Sequence, residues 1–126
     1  MRRTWILPSR PKPGRLSDEQ CRKIEAVLGR YCEARVPPHV RSEIQLLHRI
    51  RGTTVTLLER RPAWRAPGEW TELPVAQFRY EPLTGRWTLY CRDRNLRWHR
   101  YDSRPRKTLA SLLREVDADR TGIFWG

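Results

Sequence analysis

Between residues 79 and 101, arginines alternate with ring side chains: Arg79, Arg86, Arg92 and Arg97 with Tyr90, His99 and Tyr101. Guanidinium groups hold phosphate through paired N–H donors. Flat rings stack on unpaired bases, each worth about 1–3 kcal/mol. If these seven side chains share one surface, the chemistry is that of a single-stranded nucleic-acid platform. The octamer typical of RNA-recognition motifs is absent. The bland counterpart is a solvated sheet face in an arginine-rich chain, with arginine stems lying over the tyrosines.

Other chemistries have thinner support. His99, with Arg97, Tyr101 and Glu59, is the one set resembling a metal-independent nuclease, which needs a general base, a general acid and a cation for phosphate. His48 falls on an apolar parity beside Leu46 and Ile50 and reads as a core histidine. His39 follows Pro37-Pro38 and reads as surface. The cysteines Cys21, Cys32 and Cys91 form no disulfide framework. Cys21 and Cys32, on one expected helix, stand about 16 Å apart, too far to bridge, so buried reduced thiols are expected. No pair has CxxC spacing and there is no HExxH. Asp117-Ala118-Asp119-Arg120-Thr121-Gly122 opens like a calcium loop but lacks the twelfth-position acid, and reads as a helix exit. Neither a P-loop nor a GxSxG elbow occurs. No metal or cofactor is expected, and the balance is against an enzyme.

These residues sit in a chain of 126 with a net charge of +12. That length suits one domain with a hydrophobic core of its own. Residues 1–15 hold five cations and no acid, while residues 41–101 hold 12 arginines against 6 acids. The folded part's excess charge is thus concentrated in the segment read below as sheet, which points to an anionic partner. Arginine outnumbers lysine 23 to 3, so part of the excess reflects general composition. No apolar run is long enough to span a membrane. The start, Met1-Arg2-Arg3-Thr4-Trp5-Ile6-Leu7, resembles a signal peptide until Pro8 and Arg10 break it. The expected location is the cytoplasm.

The elements follow from spacing. Residues 1–16, with Pro8, Pro11, Pro13 and Gly14 among cations, read as a mobile basic tail in which Trp5-Ile6-Leu7 could dock. Ser17-Asp18-Glu19-Gln20 has the form of a capping box. Cys21, Ile24, Val27, Leu28, Tyr31 and Cys32 follow at helical spacing, ending before Val36-Pro37-Pro38. Alternation then predicts strands over 43–51, 53–60, 75–81, 86–92 and 96–101, with turns at Gly52, Pro82-Leu83-Thr84-Gly85 and Asp93-Arg94-Asn95. A last helix starting near residues 105–108 buries Leu109, Leu112, Leu113 and Val116. Asp102 reads as a cap.

The fold class is therefore α+β: a five-stranded antiparallel meander with an N-terminal and a C-terminal helix packed on one face, over residues 17–126. The covered face is expected to hold Ile44, Leu46, Ile50, Val55, Leu57, Phe78, Trp87, Leu89 and Trp98. The open face receives Gln45, Arg49, Arg51, Thr56, Gln77, Arg79, Arg86, Thr88, Tyr90, Arg92, Arg97, His99 and Tyr101. Residues 62–74 read as a long loop whose Trp64 and Trp70 plug an edge of the core. The closing Phe124-Trp125 reads as a tucked tail. If exposed, Trp64, Trp70 and Trp125 instead form a protein-interaction surface.

Long stretches carry a family resemblance: Tyr31-Cys32-Glu33, Arg35-Val36-Pro37-Pro38-His39-Val40-Arg41, Glu59-Arg60-Arg61-Pro62, Gly68-Glu69-Trp70-Thr71-Glu72, Trp87-Thr88-Leu89-Tyr90, Asp93-Arg94-Asn95, Trp98-His99-Arg100-Tyr101 and Gly122-Ile123-Phe124-Trp125-Gly126. Over roughly residues 17–126 the chain resembles the bacterial domain-of-unknown-function family numbered 3024. The resemblance implies no activity and transfers no site residue.

Overall fold

The computed structural model describes residues 14–101 and 104–126. Helix α1, Asp18–Arg35, begins where the sequence places it. The Ser17 hydroxyl accepts from the Gln20 N–H at 3.1 Å, and the Gln20 side chain accepts from the Ser17 N–H at 2.9 Å. Two orphan amides are satisfied this way. The helix ends at Val36, whose N–H still reaches the Cys32 carbonyl, because Pro37-Pro38 cannot continue it. A single 3-10 turn, Pro38–Val40, leads into the sheet.

The sheet is the expected meander: β1 Gln45–Arg51, β2 Thr54–Pro62, β3 Trp70–Glu81, β4 Arg86–Arg92 and β5 Trp98–Arg100, all antiparallel and in sequence order. Gly52 turns β1 into β2 at φ 62°. A Cβ there would lie 2.6 Å from the Gly14 carbonyl oxygen, so no other residue fits. Leu16 donates its N–H to Gly52 and is buried at 5 % exposure. The sequence leaves this residue in the tail, whereas it belongs to the core. The rest of the basic segment, including Trp5-Ile6-Leu7, lies outside the described residues, as does Asp102.

Helix α2, Leu109–Ala118, is capped by Thr108, which accepts from the Ser111 N–H. It ends at Asp119, in the left-handed region at φ 43°. Leu109, Leu112, Leu113 and Val116 are buried as expected. The core is one cluster: Ile24, Leu28 and Cys32 of α1, the α2 leucines, and sheet residues Val55, Leu57, Ala76, Phe78, Trp87, Leu89 and Cys91. Those sheet residues all belong to one parity of their strands. Both helices therefore cover the same face, and the other face carries neither.

The residues read as a loop over 62–74 depart from expectation. The β2–β3 ladder continues to Pro62 opposite Trp70, and only residues 63–69 form the connection, closed by Ala63 N–H to the Glu69 carbonyl at 2.8 Å. Pro62 and Pro74 look like breakers, but the first ends a strand and the second sits at a bulge. There the register steps from Leu57↔Ala76 to Leu58↔Pro74, and no ladder N–H is needed from it. The result is a long hairpin arm.

Candidate nucleic-acid interface

The helix-free face collects the alternate residues of every strand. Gln45, Leu47, Arg49 and Arg51 come from β1, Thr54, Thr56, Leu58 and Arg60 from β2, and Trp70, Glu72, Gln77, Arg79 and Glu81 from β3. Strand β4 adds Arg86, Thr88, Tyr90 and Arg92, and β5 adds Trp98 and Arg100. The extra residue at the bulge strengthens the local twist. Leu58 is only 5 % exposed although no helix lies over it. The face folds around it into a trough of about 550 Å³, lined by Arg49, Arg51, Thr54, Thr56, Leu58, Pro74, Gln77, Arg79 and Trp98, with no acid among them.

The guanidinium groups differ in what they are free to do. Arg79 donates Nε to the Gln77 oxygen at 2.8 Å and lies 3.8 Å over the Tyr90 ring. Gln77 in turn donates to the Thr56 hydroxyl at 3.1 Å. Arg49 pairs with Glu72 at 3.1 Å. Arg60 lies 3.7 Å from the same carboxylate and 5.0 Å over Trp70. Arg92 donates Nε to the Pro74 carbonyl, tying β4 across β3 to the bulge. Arg51, Arg86 and Arg100 make no ion pair among the described residues; Arg51 and Arg100 are exposed and Arg86 is half-buried.

Of the seven residues expected to form the platform, Arg79, Arg86, Tyr90 and Arg92 stand together on this face. His99 and Tyr101 do not. His99 lies opposite Cys91, on the helix side of the sheet, and Tyr101 donates its N–H to Leu89 and packs its ring 4.9 Å from Phe124. Arg97 shares their parity at the end of the turn. Trp98, expected in the core, lies opposite Arg92 on the open face, and Arg100 beside it was not anticipated as a contact. The cause is the turn. Asp93 and Arg97 face each other, Asp93 N–H to the Arg97 carbonyl at 2.9 Å, with Leu96 inside the connection at φ 64°. Assigning Leu96 and Trp98 to the core by hydrophobicity requires a connection one residue shorter, and a one-residue slip moves every side chain of β5 to the other face.

The nuclease set does not assemble around Glu59. His99 Nε2 pairs with Asp93 Oδ2 at 2.7 Å on an exposed edge. Glu59 is bonded to Arg61 at 2.8 Å on β2, three strand spacings or about 14 Å away. His48 is half-buried against the helix side, and burial lowers its pKa. The three cysteines are free; burial pushes the Cys32 thiol up to about 11 and raises that of Cys91, so neither is a ready nucleophile. No three His, Cys, Asp or Glu side chains gather as a metal-binding group among the described residues.

The tryptophans offered as an interaction surface divide. Trp125 donates Nε1 to the Val116 carbonyl at 3.1 Å under the Arg35 guanidinium at 4.1 Å, and Phe124 is buried. The tail is tucked. Trp70 lies beneath Arg60. Trp64 is 82 % exposed at the arm tip with Arg65 over it, so it plugs no core edge. No described helix is long and apolar enough to cross a membrane.

The family described as domain of unknown function (DUF3024) matches residues 16–126. No curated protein and no solved structure matches the chain.

Proposed function

The chain belongs to the DUF3024 family, and on the geometry of its open face we propose that it binds nucleic acid there. One observation carries this. The sheet side that the helices leave bare holds Arg49, Arg51, Arg79, Arg86, Arg92 and Arg100 against Glu72 and Glu81, and the first three of these arginines line a trough that has no acid in its wall. Arginine on a solvent-facing trough lowers the free energy of a phosphate chain through direct pairing and counterion release.

Association measured by anisotropy of a labelled oligonucleotide should weaken steeply with salt. For single strands the expected slope of log K against log salt is about −0.7 per phosphate neutralised, hence about −3 to −4 for five contacts. Reversing charge at Arg51 and Arg100 should cut affinity at least about tenfold. The same charge change at Arg22 and Arg30, exposed on α1, should leave most of it intact. Equal losses from the two double variants would mean that net charge, not this face, drives binding.

A further inference from the structure

Three aromatic residues share the open face: Trp70, Tyr90 and Trp98. Arg79 covers Tyr90 at 3.8 Å and Arg60 covers Trp70 at 5.0 Å. A base could reach either ring only by displacing a guanidinium already stacked on it. Trp98 has neither ring nor guanidinium against it among the described residues, and it lines the trough. We infer that Trp98 is the base-stacking residue of this face, and that the ligand is a nucleic acid with unpaired bases. This inference rests on the nucleic-acid reading above.

The chemistry around Trp98 suits that role. Leu58 and Pro74 give the trough an apolar side, where a base loses little on leaving water. Arg51 lines the same trough, and Arg100 lies two residues from Trp98 on the same parity of β5. Arg100 is placed to take a phosphate beside a base stacked on Trp98, and Arg51, four strands away across the trough, one farther along the same strand. A duplex cannot use the ring, because its base faces are occupied by neighbouring pairs; it offers only phosphates. Gln77, the amide in the lining, is already tied to Arg79 and Thr56, so selectivity is for strandedness rather than sequence. Stacking is tolerant of base identity.

The test uses the full chain and three labelled probes of equal length: an oligothymidylate, its duplex with oligoadenylate, and an abasic strand with the same phosphates. The oligothymidylate is expected to bind roughly tenfold tighter than the abasic strand. Trp98→Ala should erase most of that difference, the oligothymidylate losing far more affinity than the abasic strand, and Trp98→Phe should restore most of it. Circular dichroism of each variant confirms the fold. Stacking at Trp98 is overturned if Trp98→Ala leaves the oligothymidylate preference intact, or if the duplex binds as tightly as the single strand. Should none of the three probes bind, the nucleic-acid reading itself falls, a result distinct from the loss of stacking alone.

Discussion

Asp93 shows how much one side chain can fix. Its carboxylate pairs with His99 and accepts the N–H groups of Arg97 at 3.0 Å and Asn95 at 2.8 Å. The His99 contact foremost, then the Arg97 amide, holds its pKa down at about 2, against 3.8 for an ordinary aspartate. A folded-state pKa below the unfolded one means stability that is present above about 4 and lost as pH falls toward 2. Asp93→Asn keeps a side-chain oxygen for the turn amides but has no charge to titrate. The difference in urea midpoint between the two proteins should therefore shrink as pH falls from about 5 to 2. A difference that stays flat through that range would show that the carboxylate makes no net contribution. At this scale alternation made Arg79, Arg86, Tyr90 and Arg92 legible, because long strands with a buried face have an unambiguous parity. It failed at Trp98, His99 and Tyr101, because a three-residue strand has no parity of its own and inherits it from the turn.

The turn itself is the element-scale case. Leu96 adopts φ 64° and is 56 % exposed. A left-handed conformation costs a non-glycine residue about 1–2 kcal/mol, and here little buried apolar contact offsets it. Leu96→Gly should thus stabilise the protein by about 0.5–1 kcal/mol, the reverse of the usual effect of glycine. Chemical denaturation measures this directly, and a loss of stability would place more of Leu96 in contact than its exposure indicates. A glycine at this position would also have marked the turn in the sequence. With leucine there, the apolar pattern continues through the connection and carries the wrong parity with it. The β2–β3 arm was illegible for a related reason. Its prolines imply irregular backbone, yet the ladder needs no amide from Pro62 at its end or from Pro74 at the bulge. The helices, by contrast, were legible from their caps and spacing, since a capping box and a stop at paired prolines leave little latitude.

As a whole, the molecule separates its tasks by side. The helix side holds the hydrophobic cluster, and the C-terminal segment completes it. Asp119 accepts the N–H groups of Phe124 at 3.0 Å and Trp125 at 2.9 Å, turning the chain back over the end of α2. There Trp125 meets Arg35 of α1, while Asp117 of α2 accepts from Arg35 at 2.9 Å and from the Tyr31 hydroxyl at 2.8 Å. These contacts join the two helices far from the trough. On the open side Arg49, Arg60, Arg79 and Arg92 are each tied to a neighbour, while Arg51, Arg86 and Arg100 make no ion pair among the described residues. If this division holds, the two sides respond differently to truncation. Trp125→Ala removes a half-buried ring, its hydrogen bond and its cation contact, and should cost about 2–3 kcal/mol, below the 3–5 typical of a fully buried aromatic. The variant that still folds should bind oligonucleotide with unchanged affinity and sediment with the same mass as the parent. Urea denaturation and sedimentation on the same samples decide the matter. Unchanged stability with an altered sedimenting mass would make the tail a docking element rather than part of the core.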